Sequence, residues 1–186
     1  MKIYIIEGCQ KTGKTTYIKK LFEERVLGSD KQFRMQNLKS FEYYHLPYFE
    51  TNKEVFSYFK KLIRKIKKSK ADIIILDRFI TTAKFYANTK KDWSPKVIEK
   101  FNKLERSFFK TFEFNSTYYS LYASPTTIQE RYLKDGVNEI WDYKENKAIK
   151  LPNENICALL GSAVDFYARE YSNLCIMNKT MISEDK

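Results

Sequence analysis

At 186 residues, with 43% apolar side chains and 14 each of Tyr and Phe, the chain can bury one sizeable core, which excludes a disordered segment. It is read as a single domain over residues 1–186. No run is long enough to cross a bilayer, and the apolar stretch Ile3-Tyr4-Ile5-Ile6 ends at Glu7, so it is neither a signal segment nor an anchor. Cys9, Cys157 and Cys175 show no metal or C-x-x-C spacing and fit a reduced, cytoplasmic protein. The net charge of +11 favours polyanionic partners, nucleotides or nucleic acid, unless the lysines only solvate helix faces.

In chain order, strand and helix signals alternate, which predicts a parallel sheet with helices on both faces. A strand over Lys2 to Ile6 leads into a helix reaching about Val26. Residues 33–46 are ambiguous and are expected to hold the second strand. A helix from about Lys53 to Lys68 has Val55, Phe56, Phe59, Leu62, Ile63 and Ile66 on one face and lysines on the other. Ala71 to Leu76 is a continuous apolar run, the pattern of a strand buried on both sides, and it ends in Asp77-Arg78-Phe79. A helix follows to about Ala87. Ser94-Pro95 starts another, with Phe101, Leu104 and Phe108 on one side. Thr117 to Ala123 reads as a strand, and Ser124-Pro125 opens a helix over Thr126–Lys134. Residues 135–152 lack core periodicity and are read as a lid or loop. A last helix spans about Asn153–Tyr171, with Asn173–Met177 as the closing strand.

The chemistry concentrates in two places. Gly8-Cys9-Gln10-Lys11-Thr12-Gly13-Lys14-Thr15 is a complete G-x-x-x-x-G-K-[ST] loop between a strand and a helix. In that setting backbone N–H groups, with Thr16 in the first helical turn, surround a polyphosphate at a helix N-terminus. Lys14 then reaches the β/γ-phosphates and the Thr15 hydroxyl ligates Mg²⁺, so ATP and Mg²⁺ are the expected cofactors. Asp77 ends a buried strand, where open parallel sheets bind ligands, and is a candidate to hold Mg²⁺ or orient an acceptor oxygen. Arg78 beside it offers charge to a transferring phosphoryl group. His45, the single histidine, has no ligating neighbours in sequence and is read as structural.

Glu7-Gly8, Gly13-Lys14-Thr15-Thr16 and the segment Asp77-Arg78-Phe79-Ile80-Thr81-Thr82-Ala83-Lys84-Phe85-Tyr86 resemble thymidylate kinases and their deoxynucleoside kinase relatives. The helix over Trp93–Phe109, the turn Leu121 to Pro125 and Gln129-Glu130-Arg131 fall in the same order. The resemblance implies a three-layer α/β/α domain around a five-stranded parallel sheet of order 2-3-1-4-5, with a lid. It also implies γ-phosphoryl transfer from Mg-ATP to a small nucleotide or nucleoside, and a homodimer. It makes Lys11 and Arg131, with Lys134, candidates to assist the transferring phosphoryl group, and Phe85, Tyr86 and Arg78 candidates to hold the acceptor; Phe41, Tyr43, Tyr44 and Tyr48 are further aromatic candidates.

The chain also departs from these families. Ala87 stands where thymidylate kinases carry a thymine-reading glutamine, and Arg64 is the only arginine on the preceding helix. Glu42 and Glu50 are loose candidates for the carboxylate base of a deoxynucleoside kinase. The leading expectation is a nucleoside monophosphate acceptor, dTMP or a related deoxynucleotide. The alternatives are a deoxynucleoside 5′-hydroxyl, or a nucleic acid phosphorylated at a 5′-hydroxyl or a modified base. A nucleotide-driven switch is a third class, but no D-x-x-G is present and Asn178-Lys179-Thr180-Met181 lacks the aspartate of a guanine-reading motif.

Overall fold

The computed structural model describes residues 1–24, 40–89, 94–142, 147–152, 156–174, 176 and 178–183. Strand β1 (Lys2–Glu7) is followed by helix α1 (Lys14–Phe22), and β2 (Phe41–His45) by α2 (Asn52–Lys68). Then come β3 (Ile73–Asp77), α3 (Ile80–Thr89), α4 (Pro95–Phe112) and β4 (Ser116–Tyr122). The chain continues through α5 (Pro125–Lys134), β5 (Glu139–Asp142), β6 (Lys147–Lys150), α6 (Ile156–Asn173) and β7 (Lys179–Ser183). Strands β2-β3-β1-β4-β7 form one parallel sheet, the expected 2-3-1-4-5 order with β7 as the fifth strand.

Residue alternation along the central strands divides the core. Ile3, Ile5, Ile74 and Leu76 face one side, under α2, α3 and α4 with Phe59, Phe79, Phe101 and Phe108. Ile6, Ile73 and Ile75 face the other, against Leu21, Ile18 and Tyr17 of α1. A third cluster joins Ile128 and Tyr132 of α5 to Val164, Phe166 and Tyr167 of α6.

Local chemistry sets the helix ends as expected. Thr51 and Glu54 make a reciprocal capping box at the start of α2, with Glu54 N–H donating to Thr51 Oγ1 at 3.3 Å and Thr51 N–H to Glu54 Oε2 at 3.1 Å. Ser94 and Ser124 cap α4 and α5, each followed by Pro at the first helical position.

Two expectations are corrected. The closing strand is Lys179–Ser183, paired with Tyr118–Tyr122, not Asn173–Met177. Helix α6 continues through Asn173, Leu174 then plugs the large core at 6% exposure, and Lys179 Nζ donates to the carbonyls of Tyr171 and Leu174 at 3.0 and 2.8 Å. The apolar residues at 174 and 176 therefore report a helix exit, not a strand. Residues 135–152 carry the antiparallel hairpin β5–β6, with Ile140 opposite Ile149. Its strands are four residues each and β6 is mostly exposed, so no buried face leaves a period in the sequence. The remainder of the 33–46 region before Ser40, the predicted helix end at Val26 and the start of the Trp93 helix lie outside the described residues.

Candidate active site

Because the strands are parallel, Glu7, His45, Asp77 and Tyr122 all come to one edge of the sheet. The chain leaves β1 toward β3 on one side and β4 on the other, and the crevice at such a switch point is where open α/β sheets bind ligands.

The loop over residues 8–13 fills that crevice. Gly8 has φ +137°, and a Cβ there would lie 2.5 Å from the Leu121 carbonyl oxygen and 2.8 Å from Thr12 Oγ1, so only glycine fits. Gly13 caps α1 at φ +87° with no side chain bonded to the helix end, leaving the first-turn N–H groups of Lys14, Thr15 and Thr16 oriented as an anion site. Thr12 Oγ1 donates to the Cys9 carbonyl at 2.9 Å and closes the curl. Lys14 is 7% exposed and folds back so that Nζ donates to the Gly8 carbonyl at 2.9 Å and to that of Cys9. Burial, then the nearby charge of Arg78, lowers its pKa to about 8. Burial raises the Cys9 thiol to about 11, so it stays protonated.

The loop tip is tied to α5. Lys11, at φ +60°, pairs with Asp135 and lies 5.4 Å from the centre of the Tyr132 ring. Arg131 Nη1 donates to the Lys11 carbonyl at 2.9 Å, and Tyr132 donates to Gln10 Oε1 at 2.5 Å. Lys11 and Arg131 are thus brought together at the loop, where they hold protein partners. Lys134 is exposed at the end of α5.

Asp77 lies across from the loop. Its Oδ2 accepts from Tyr43 Oη at 2.6 Å and lies 2.9 Å from His45 Nδ1, while Oδ1 is buried and has no hydrogen-bond partner among the described residues. An unpaired buried carboxylate oxygen is costly, and a cation is the group such an atom suits. With the Thr15 hydroxyl at the start of α1, the oxygen donors present fit a hydrated Mg²⁺. The sequence offers Tyr43 only as an aromatic candidate and reads His45 as structural, so their contacts with Asp77 went unread. Their signal was register: His45 pairs with Asp77 across β2 and β3, and Tyr43 lies two residues back on the same face.

Arg78 has φ +67°, an uncommon conformation for a side-chain-bearing residue. Its N–H donates to the Ile6 carbonyl at 2.9 Å, and the next turn is fixed by Glu7, which accepts the Phe79 N–H at 2.7 Å and the Thr82 N–H at 3.2 Å. Burial pushes the Glu7 carboxyl up to about 7 against these bonds. Arg78 Nη1 donates to Tyr86 Oη at 3.0 Å, and its Nε is buried with no partner among the described residues. Glu7 is a third residue whose role the sequence left unread.

Beyond Arg78, Tyr86, Leu46, Phe49, Glu50, Ala83 and Ala87 line a concavity at the start of α2. The structure brings Tyr86 to it, with Tyr48 edge-on at 6.2 Å. It does not bring Phe85, which packs against Phe166 and Tyr167 in the third core cluster. Glu42 lies away from the crevice, accepting from Tyr44 Oη and Ser69 Oγ, and Arg64 is exposed on α2.

The sheet order, the phosphate-binding loop between β1 and α1 and the carboxylate ending β3 define the fold of the P-loop kinases. Solved structures agree. The chain is similar to the YorR protein of Bacillus subtilis, solved in complex with phosphorylated GDP, at TM-score 0.62 and 20% identity over 99% of this chain and 85% of that one. It is similar to polyphosphate kinase 2 of Arthrobacter aurescens TC1 at TM-score 0.59 and 12% identity, over 97% of this chain and 59% of that one. It is also similar to thymidylate kinase of Ehrlichia chaffeensis at TM-score 0.55 and 12% identity, over 100% and 88%. No protein-family model and no curated protein sequence matches the chain. No helix among the described residues is long and apolar enough to cross a membrane.

Proposed function

We propose that the chain is a Mg-ATP-dependent kinase that transfers the γ-phosphoryl group to a nucleoside monophosphate, on the plan of the thymidylate kinases. The observation that carries this reading is the Asp77 carboxylate at the end of β3, one buried oxygen unpaired and its charge acting on Lys14 of the loop. The loop N–H groups and the start of α1 would take the triphosphate, and Lys14 would exchange its two carbonyl partners for phosphate oxygens. Thr15 and Asp77 would hold the metal, which supplies charge neutralisation between the β- and γ-phosphates when bound. Lys11 and Arg131 lie near enough to the loop to meet the γ-phosphate once Asp135 releases Lys11.

Transfer forms a bond from an acceptor phosphate oxygen to the γ-phosphorus and breaks the bond to the β-phosphate bridging oxygen, releasing ADP. Arg78 supports a phosphorylated acceptor over a bare nucleoside, because its guanidinium bonds Tyr86, which lines the concavity, and keeps Nε unpaired among the described residues. Tyr86 and Tyr48 offer rings to a base. Ala87 occupies the wall where the thymine-reading glutamine would stand, so dTMP is one member of the acceptor panel beside purine monophosphates. The YorR structure, which holds a phosphorylated guanine nucleotide, supports including GMP and dGMP. Glu50, also in that wall, favours the deoxynucleoside reading, where it would serve as the base.

The test is ADP release from Mg-ATP across nucleoside monophosphates, deoxynucleosides and oligonucleotides, with Lys14→Ala as the blank. Lys14-dependent turnover with one monophosphate is expected. Turnover with deoxynucleosides alone moves the acceptor to the 5′-hydroxyl, and no stimulation by any acceptor refutes the kinase reading.

A further inference from the structure

We propose that the outer face of α2 and α4 is a docking surface for the phosphodiester backbone of a nucleic acid, apart from the crevice and independent of the kinase reading. These two helices hold twelve Lys and Arg against three Asp and Glu, so nine of the net +11 charges sit on them and the rest of the chain is close to neutral. All twelve cations, Lys53, Lys60, Lys61, Arg64, Lys65, Lys67 and Lys68 on α2 and Lys96, Lys100, Lys103, Arg106 and Lys110 on α4, are exposed.

Of the three acids only Glu99 pairs with one of these cations. Glu54 is engaged in the capping box, Glu105 turns inward to Lys84 at 3.0 Å, and Glu99 pairs with Lys103 at 2.8 Å. The helices also share one continuous surface. Phe56 of α2 packs on Phe101 of α4 with ring centres 4.7 Å apart, and Lys100 lies over the Phe56 ring at 5.9 Å. Seventeen helical residues span about 25 Å, along which a duplex presents on the order of 15 phosphate charges.

The surroundings favour a nucleic acid over other acidic partners. Protein interfaces centre on buried aromatic and aliphatic anchors, but the exposed large apolar side chains Met1, Phe41, Tyr43, Tyr48, Phe114 and Met181 all lie off these helices. The apolar stripes of α2 and α4 are spent in the core, which leaves nothing to insert into a membrane. A polar, lysine-rich surface is what backbone recognition uses. The dense cluster at 60–68 lies at the far end of α2 from Thr51 and Val55, which line the concavity, so a strand held there is a tether and not a phosphoryl acceptor.

The test uses the full chain and a fluorescently labelled 25-mer, single-stranded and duplex, titrated by anisotropy between 50 and 200 mM KCl. Two charge-neutralised variants are compared, K60Q/K61Q/R64Q/K67Q/K68Q and K96Q/K100Q/K103Q/K110Q, with K19Q/K20Q on α1 as control. Urea midpoints establish that each is folded. Wild type is expected to bind at 50 mM salt with a log–log salt slope near −5, about six phosphates at ~0.9 each. The α2 variant should bind at least 30-fold more weakly with a slope reduced by 3 or more, the α4 variant should fall in the same direction, and the control should stay within threefold. Mg-ATP should leave the bound oligonucleotide in place. Wild-type affinity in the folded α2 variant, no binding at 50 mM salt, or displacement by Mg-ATP overturns the proposal. So does binding to phosphatidylserine vesicles without binding to oligonucleotides.

Discussion

Lys84 offers a stringent test of how the site is held. It is 4% exposed on α3, with Nζ 3.0 Å from Glu105 Oε2 of α4 and 2.8 Å from Glu170 Oε2 of α6. The triad therefore fastens the helix that begins just after Arg78 and carries Tyr86 to two neighbours. Burial opposes the Lys84 charge, but the two carboxylates outweigh it and hold its pKa above the ordinary value. Burial raises the Glu105 carboxyl, and Lys84 pulls it back. Replacing Lys84 with Met leaves two largely buried carboxylates facing each other, which costs about 3–5 kcal/mol at neutral pH. The sign of the pH dependence follows. Glu105 titrates higher folded than unfolded, so its charge costs stability that is absent in acid and grows as pH rises through the folded value. Without Lys84 that value climbs further, so the loss in Lys84→Met should be smaller at pH 5 than at pH 7.5. Urea unfolding followed by circular dichroism at both pH values measures it, and K84M/E105L/E170L should recover most of the loss. A Lys84→Met loss under about 1 kcal/mol at pH 7.5, or one equal at both pH values, would refute the bracing argument.

Other substitutions probe the crevice. Glu7→Gln should remove a pH-dependent cost: with Glu7 raised from 4.5 to about 7, wild type loses about 3 kcal/mol relative to the variant as pH climbs across that window, and parallel urea curves would contradict it. Lys14→Ala should weaken ATP binding at least 100-fold by calorimetry, while the urea midpoint stays near wild type because a buried, partly desolvated charge is also removed. Asp135→Asn should leave stability unchanged and tighten ATP binding two- to fivefold, since the carboxylate and the γ-phosphate compete for Lys11; weaker binding would show that the pair supports the loop. Tyr43→Phe should lower kcat about tenfold with little change in ATP affinity, as Asp77 loses the hydroxyl that orients it, and an unchanged kcat removes Tyr43 from the site.

The fold was legible wherever burial is one-sided or complete. The all-apolar run at 73–76, the stripe on α2 and the Ser-Pro starts of α4 and α5 each encode one local outcome, and the structure holds each. Legibility failed where a segment's partner is not local. The closing strand at 179–183 has no buried residue and few apolar ones, and it is a strand because it pairs with β4. Leu174 and Ile176 look more strand-like and are packed as a helix exit. The β5–β6 hairpin buries too little of itself to leave a pattern.

The same contrast divides the site. Phosphate binding relies on backbone geometry: a Cβ-free position against the Leu121 carbonyl, a left-handed Gly13 and a lysine at the helix start all fall within eight residues. Those demands force residue types at fixed spacing, so sequence alone exposes them. The proposed acceptor side is assembled across β2, β3 and α3, and its contacts depend on register. His45 and Tyr43 reach Asp77 only because β2 pairs with β3 residue for residue, and nothing between positions 45 and 77 reports that. Tyr86 and Phe85 are adjacent aromatics, yet one lines the concavity and the other packs against the third core cluster, since neighbours on a helix point about 100° apart. An acceptor cleft can therefore exchange its side chains while the phosphate loop stays fixed. That is why a donor site can be proposed from residues 8–15 while the acceptor has to be found by assay.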